Sequence, residues 1–394
     1  MSRHPVRVRV IIDSLGPGGA ERSLAELLPE LAASGFDMRI TTLVRRRDGF
    51  QDELERAGFP IQSLRSPTRG GRIAELRRQL RAERPSLVHT MLFEADIAGR
   101  LSAAGTGISV LTSLVNVAYD EIRFLDPNVS RTKLRVARSI DTWTARHLTA
   151  HFHAVTETVK TSAVRVLRIP AERVTVIRRG RNPTRLGEPG YERRRAVRER
   201  LGIPINAEVV VTVGRQEYAK GQENLLEALA PMIRERPQLF ALIVGRRGNQ
   251  TARLEDCHRR LDLGDRVQFL GHRRDVPDLL AASDIFAFPS LYEGFGGSLV
   301  EAMALGLPIV CSDLAPLHEV VKKGGTALVV PPGTPEALRG ALETLLRDSD
   351  LRRRLGDRGR QVFLERFTLA GTAEQMAALY RRVAEVGQAS EVLR

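Results

Sequence analysis

The chain has 394 residues, 42 % of them hydrophobic and 27 % charged, with a formal net charge of +14. That balance excludes a disordered or fibrous chain and supplies enough length for two ordinary domains. No apolar run reaches the roughly 18 residues that span a bilayer. No secretory h-region is recognisable at the N-terminus, and two cysteines, Cys257 and Cys311, make no disulfide framework. A cytosolic setting is expected.

The first half alternates strand and helix signals. Val6–Ile12 (VRVRVII) reads as a strand, Gly16-Pro17-Gly18-Gly19 as a turn, and Ala20–Ala33 as an amphipathic helix. Met38–Val44, Ser86–His89, Ser109–Leu114, His153–Thr156 and Val174–Ile177 are further strands. Helices are expected at Leu54–Ala57, Ile73–Ala82 and Arg131–His151. Residues 186–206, with Gly187, Pro189, Gly190 and Pro204, look like a connection. The alternation then restarts with strand Glu208–Val213 and helix Gln222–Arg234. Strands Phe240–Val244, Val267–Leu270, Ile285–Phe288 and Pro308–Cys311 follow, with helices between them, and the end of the chain is helical. Such alternation predicts two α/β domains, each a doubly wound parallel sheet, facing a central cleft. The expected division is 1–185, a connection at 186–206, 207–365, and a last helix at 366–394 that packs back on the first domain.

The charge is unevenly placed. Residues 1–185 hold 31 Lys+Arg against 19 Asp+Glu, and the remainder holds 30 against 28. A basic first domain fits an anionic partner such as a membrane surface or a lipid-phosphate acceptor; an Arg-rich composition throughout explains the same numbers. No specific nucleic-acid signature accompanies it.

The segment from Ser283 to Glu319 carries the chemistry. A strand ends at Pro289, a turn holds Gly294, Gly296 and Gly297, and a helix begins near Ser298. Glycines admit a close ligand, and a helix start favours phosphate. Glu293 and Glu301, eight apart, are placed to edge one crevice and accept hydrogen bonds from hydroxyls.

This segment resembles the E-x7-E region of the retaining glycosyltransferases of family GT4, which have the GT-B fold. The resemblance extends to Val213-Gly214-Arg215, Lys220-Gly221, Val244-Gly245, Phe269-Leu270-Gly271, Asp284 and Gly18-Gly19-Ala20-Glu21-Arg22. It implies that Glu293 binds the donor sugar and Glu301 the ribose. The Gly297, Ser298 and Leu299 backbone would meet the diphosphate, and Arg215 and Lys220 would neutralise the leaving nucleotide. Gly214 and Leu270 would line the nucleotide; Gly18 and Gly19 would close on its phosphates. The implied partners are a UDP- or GDP-sugar and a hydroxyl acceptor: a lipid-linked glycan, a glycan or a small molecule. No metal or other cofactor is implied.

The pattern departs at Leu111-Thr112-Ser113-Leu114-Val115-Asn116, where many members carry a histidine. Asn116, or His89 after an earlier strand, is a candidate replacement at the cleft. A lone His89 equally fits a structural role, and Asp284 reads as a packing residue. Two alternatives stay open: a non-catalytic sugar-nucleotide or membrane-surface binding module, and a GT-B epimerase or phosphorylase.

Overall fold

The computed structural model describes residues 5–46 and 48–392, with side chains described as far as residue 385. The chain divides into two units. One comprises residues 1–124, 129–180 and 369–394, and the other 125–128 and 181–368.

The first unit runs β1 (Val6–Ile12), α1 (Gly19–Ala33), β2 (Phe36–Thr42), α2 (Gln51–Arg56), β3 (Ile61–Ser63), α3 (Arg69–Glu83) and β4 (Leu87–Met91). It continues through α4 (Phe93–Ala103), β5 (Ser109–Leu114), α5 (Arg131–Leu148), β6 (His151–Ala154), α6 (Glu157–Leu167) and β7 (Val174–Val176). Its seven strands are all parallel, in the order β3-β2-β1-β4-β5-β6-β7. A parallel sheet is covered by helices on both faces, so its middle strands are apolar without alternation. Accordingly, all five residues of β4 are buried. Thr68, Ser130 and Thr156 accept first-turn N–H groups and so start α3, α5 and α6.

The second unit runs α7 (Pro183–Leu186), α8 (Tyr191–Leu201), β8 (Glu208–Val213), α9 (Gln222–Glu235), β9 (Leu239–Val244), α10 (Thr251–Arg260), β10 (Val267–Gly271), α11 (Val276–Ala281) and β11 (Ile285–Phe288). Then come α12 (Gly297–Ala304), β12 (Ile309–Ser312), α13 (Ala315–His318), β13 (Leu328–Val330), α14 (Pro335–Arg347) and α15 (Ser349–Arg366). Its six parallel strands lie in the order β10-β9-β8-β11-β12-β13. Both sheets are doubly wound, as the alternation predicts.

The final helix, α16 (Leu369–Val392), belongs to the first unit. Its Leu369, Ala373, Met376, Ala377, Tyr380 and Val383 join the core formed by α1 and β1.

Three boundaries differ from the sequence reading. The first unit ends at Gly180 rather than residue 185, because Arg181 donates its N–H to Phe367 O at 2.9 Å and pairs with Glu301. Residues 186–206 are not a free connection. Within them, α8 is held on the second unit by Arg193 on Asp278 (2.7 Å), and by Arg194 (2.6 Å) and Arg198 (2.9 Å) on Asp284. Residues 125–128 also join that unit, where Asp126 accepts from Tyr292 Oη at 3.1 Å.

Candidate active site

In an open parallel sheet, ligands bind at the carboxyl ends of the strands, where the strand order reverses. In the second unit this point lies between β8 and β11. Two loops leave those strand ends. The first carries Gly214, Arg215 and the turn Tyr218–Lys220; the second carries residues 289–296 and leads into α12. They are fastened together: Leu291 N–H donates to Ala219 O at 2.8 Å. Gly221 has φ of +58°, and a side chain there would run into the Pro289 carbonyl. Only glycine meets both requirements.

This fastening brings Lys220 to Glu293. Their side chains form an ion pair, 22 % and 12 % exposed. Lys220 Nζ also lies 5.7 Å from the centre of the Phe288 ring. Glu293 Oε2 accepts from the Gly294 N–H at 3.2 Å. Arg215 is more open, 45 % exposed, and pairs with Glu217 at 2.6 Å. Gly214 is integral to the strand end: its N–H donates to Val244 O, and its carbonyl accepts from Gln222 Nε2.

The start of α12 is the second component. Gly296 holds a left-handed conformation (φ +88°), and no side chain caps the helix. The Gly297 and Ser298 N–H groups therefore stand at a helix start with its partial positive charge. Ser298 Oγ donates to Val213 O at 3.0 Å, tying the helix to β8. Leu299 is fully buried, and its N–H bonds to Gly296 O at 3.1 Å, so it supports the turn from inside. Leu270 sits at an irregularity of β10 where the register shifts between Phe269 and Gly271. There Gly271 O accepts the Gly245 N–H at 2.8 Å.

Glu301 departs from expectation. It does not edge an open crevice: its side chain is 3 % exposed and receives Arg181 Nε at 2.8 Å. The Arg181 guanidinium lies at the mouth of α12, where a β-carbon on Gly297 would come within 2.6 Å of Nη2. Arg181 was missed in the sequence; its only signal was a basic run, Arg178-Arg179-Gly180-Arg181, just past β7. Asp284 is a packing residue, taken up by Arg194, Arg198 and the Val209 N–H.

In the first unit, Gly18 precedes α1, and its carbonyl accepts the Arg22 N–H at 2.9 Å. A side chain on Gly18 would collide with the Glu21 carboxylate, whereas the space around Gly19 is open. At the end of β1, Asp13 accepts the Ala95 N–H at 2.7 Å, and burial pushes its carboxyl up to about 6. Asn116 is exposed just past β5.

His89 is not at an open cleft position. It is 1 % exposed in the interior of the first unit, within a buried chain of hydrogen bonds. Tyr380 Oη meets His89 Nδ1 at 2.7 Å, His89 Nε2 meets Ser113 Oγ at 2.7 Å, Ser113 Oγ meets His153 Nδ1 at 2.8 Å, and His153 Nε2 meets Ile177 O at 2.8 Å. A carbonyl only accepts, so His153 carries its proton on Nε2. Ser113 must then donate to His153, His89 to Ser113, and Tyr380 to His89. Each link has one possible direction with both rings neutral. Burial pushes His89 down to about 3, with His153 adding to the shift, and His153 down to about 4.

A doubly wound second unit, with a cation–carboxylate pair and a helix start without a side-chain cap at its switch point, defines a class: doubly wound α/β folds with an anion-suited switch point. Residues 193–362 match the family model described as glycosyl transferases group 1, and residues 18–180 the one described as glycosyl transferase 4-like domain. The chain belongs to this GT4-type family of GT-B glycosyltransferases.

Among its relatives, the alpha-D-kanosaminyltransferase of Streptomyces kanamyceticus is 28 % identical over 266 residues, 66 % of this chain and 68 % of that protein. The D-inositol 3-phosphate glycosyltransferase of Thermobispora bispora is 27 % identical over 400 residues, covering 93 % and 90 %. That of Corynebacterium urealyticum is 34 % identical over 202 residues, so this chain spans about half of its length (47 %). Of solved structures, Anabaena Alr3699/HepE in complex with UDP-glucose superposes with a TM-score of 0.83 at 25 % identity, covering 95 % of this chain and 99 % of that one. Sucrose-phosphate synthase of Thermosynechococcus elongatus has the same fold, with a TM-score of 0.82 at 22 % identity and coverage of 96 % and 99 %.

Proposed function

We propose that this chain transfers a sugar, with retention at the anomeric carbon, from a UDP- or GDP-sugar to a hydroxyl acceptor in cell-surface polysaccharide or glycolipid synthesis. The observation that carries the proposal is the Lys220–Glu293 pair at the switch point of the second sheet, beside the start of α12. A nucleotide sugar offers a counterpart to each half of that pair: diphosphate for Lys220 and sugar hydroxyls for Glu293. The HepE complex with UDP-glucose supports this donor class.

In the reaction, the bond from the anomeric carbon to the diphosphate oxygen breaks and negative charge gathers on the departing nucleotide. Arg215, Lys220 and the N–H groups of Gly297 and Ser298 stabilise that charge. The acceptor oxygen bonds to the anomeric carbon on the face the diphosphate leaves, and its proton passes to a phosphate oxygen. With two fixed cations, the proposal requires no metal. Glu301, buried and held by Arg181, supports α12 from inside and is given no ligand contact.

The acceptor side is assigned to the first unit, and the place of work to the cytoplasmic face of the cell membrane. No helix among the described residues is long and apolar enough to cross a membrane.

The test is release of free nucleotide from a panel of UDP- and GDP-sugars, with and without acceptors, in the presence of a chelator. Lys220→Ala and Arg215→Ala should each lower kcat about a hundredfold or more while the melting temperature stays unchanged. Full turnover by both variants refutes the assignment.

A further inference from the structure

We propose that the hollow between α5 and the end of α6 docks the phosphodiester headgroups of an anionic lipid bilayer, with an adjoining stripe of α5 entering the apolar layer. The proposal rests on the membrane-face reading above and gives it a site.

The inner side of α5 is pinned. Asp141, Thr144 and Ala145 are buried; Asp141 receives Arg100 Nη1 at 2.5 Å and the Tyr119 hydroxyl at 2.8 Å. The outer side carries two stripes at helical spacing. Arg135, Arg138 and Arg146 line a hollow of about 750 Å³, whose other wall includes Arg165 and Arg168. Against these five guanidinium groups the lining contains one carboxylate, Glu121. Asp120 stands beside Arg165 at 3.5 Å. Next to this basic stripe, Val136, Ile140 and Trp143 recur at i, i+4 and i+7, exposed to 56 %, 46 % and 56 %. Eight large apolar side chains are exposed among the described residues, and three of them share this one helix.

The two stripes together select the occupant. Guanidinium forks suit phosphate oxygens. A free phosphate or a nucleic-acid backbone would satisfy the arginines and leave Val136 and Ile140 in water. A bilayer meets both stripes at once: headgroups on the cationic side, acyl chains on the apolar side, and the indole of Trp143 at the boundary between them. The apolar stripe accounts for what a charge excess alone does not.

Trp143 is the only tryptophan in the chain, so its fluorescence reports this site directly. The full chain is mixed with vesicles of phosphatidylcholine containing about one third phosphatidylglycerol, or of phosphatidylcholine alone. Sedimentation and Trp143 emission are both measured. Binding at least about tenfold stronger to the anionic vesicles, with a blue shift, is expected. Arg138→Glu with Arg146→Glu should cut the vesicle-bound fraction about tenfold or more. Ile140→Ser should shrink the blue shift.

Equal binding to both vesicles, or no loss in the charge-reversed variant, overturns the proposal. So does a blue shift produced by inorganic phosphate alone, or a short RNA that outcompetes the anionic vesicles. Circular dichroism melting confirms that each variant folds. The rise in melting temperature with UDP- or GDP-sugars, read on the same variants, should equal that of the parent chain. Its absence in the parent chain would count against the transferase reading and leave the vesicle result standing.

Discussion

Mild acid should loosen the first unit through its buried histidine chain. His89 and His153 titrate near 6.5 when unfolded, but at about 3 and about 4 in the fold. Above pH 6.5 both states are neutral and neither ring affects stability. Below it the unfolded chain takes up protons that the native one refuses, so stability falls with pH until the native rings titrate. At pH 5 each ring contributes about 2 kcal/mol of destabilisation, about 4 kcal/mol together, a large part of an ordinary domain's stability. The physical reason is the one-way chain: protonating either ring puts a second donor against a group already donating to it, inside a buried site. Trp143 lies in the first unit, so urea unfolding followed by its fluorescence isolates this transition. A midpoint that drops steeply from about pH 7 to pH 5, with a shallower slope in His153→Gln, is the expected outcome. A His153→Gln curve as steep as the parent's over that interval would refute the fixed-polarity chain.

Tyr380→Phe removes the hydroxyl that donates to His89 Nδ1 and leaves a buried acceptor unmet, at a cost of about 1–3 kcal/mol in the same urea assay. Arg181→Ala strands the Glu301 carboxylate in a buried site; about 3 kcal/mol should be lost from the second unit, measured by calorimetry, and donor binding should weaken with it. Gly221→Ala forces a side chain into left-handed backbone against the Pro289 carbonyl, so the Lys220–Glu293 pair should shift and turnover should fall well before the fold does. Asp13 has a folded-state pKa raised from 3.8 to about 6, so the unfolded chain ionises first and stability is lost as pH rises from about 4 to about 6, the full cost being present above that; Asp13→Asn should therefore raise the melting temperature at neutral pH and change little at pH 4.

Much of this protein is legible in its sequence because the relevant forces are local. Short β-branched runs alternating with amphipathic helices specify covered parallel strands, and the restart at Glu208 announces a second sheet. The glycine turn before Ser298 follows from what a helix start can do for an anion and the Glu293 position from what a carboxylate at a strand end can do for hydroxyls, whereas the role of Lys220 is legible only through the resemblance to family GT4. The elements that escaped lack a clean period. In α4, Asp96, Arg100 and Ser102 are buried beside alanines; α6 begins Glu-Thr-Val-Lys-Thr-Ser; β3 has three residues.

Only tertiary structure decides what depends on distant partners. Arg181 and Glu301 lie 120 positions apart, and their pairing turned an expected surface carboxylate into a buried one. His89 and Tyr380 lie 291 apart; a histidine that reads as a candidate catalyst became a neutral link because a helix from the far end of the chain covers it. Local pattern sets which elements form and which ends can carry charge. Burial and pairing set whether a given side chain is left to do chemistry, and those depend on chain segments that no local window contains.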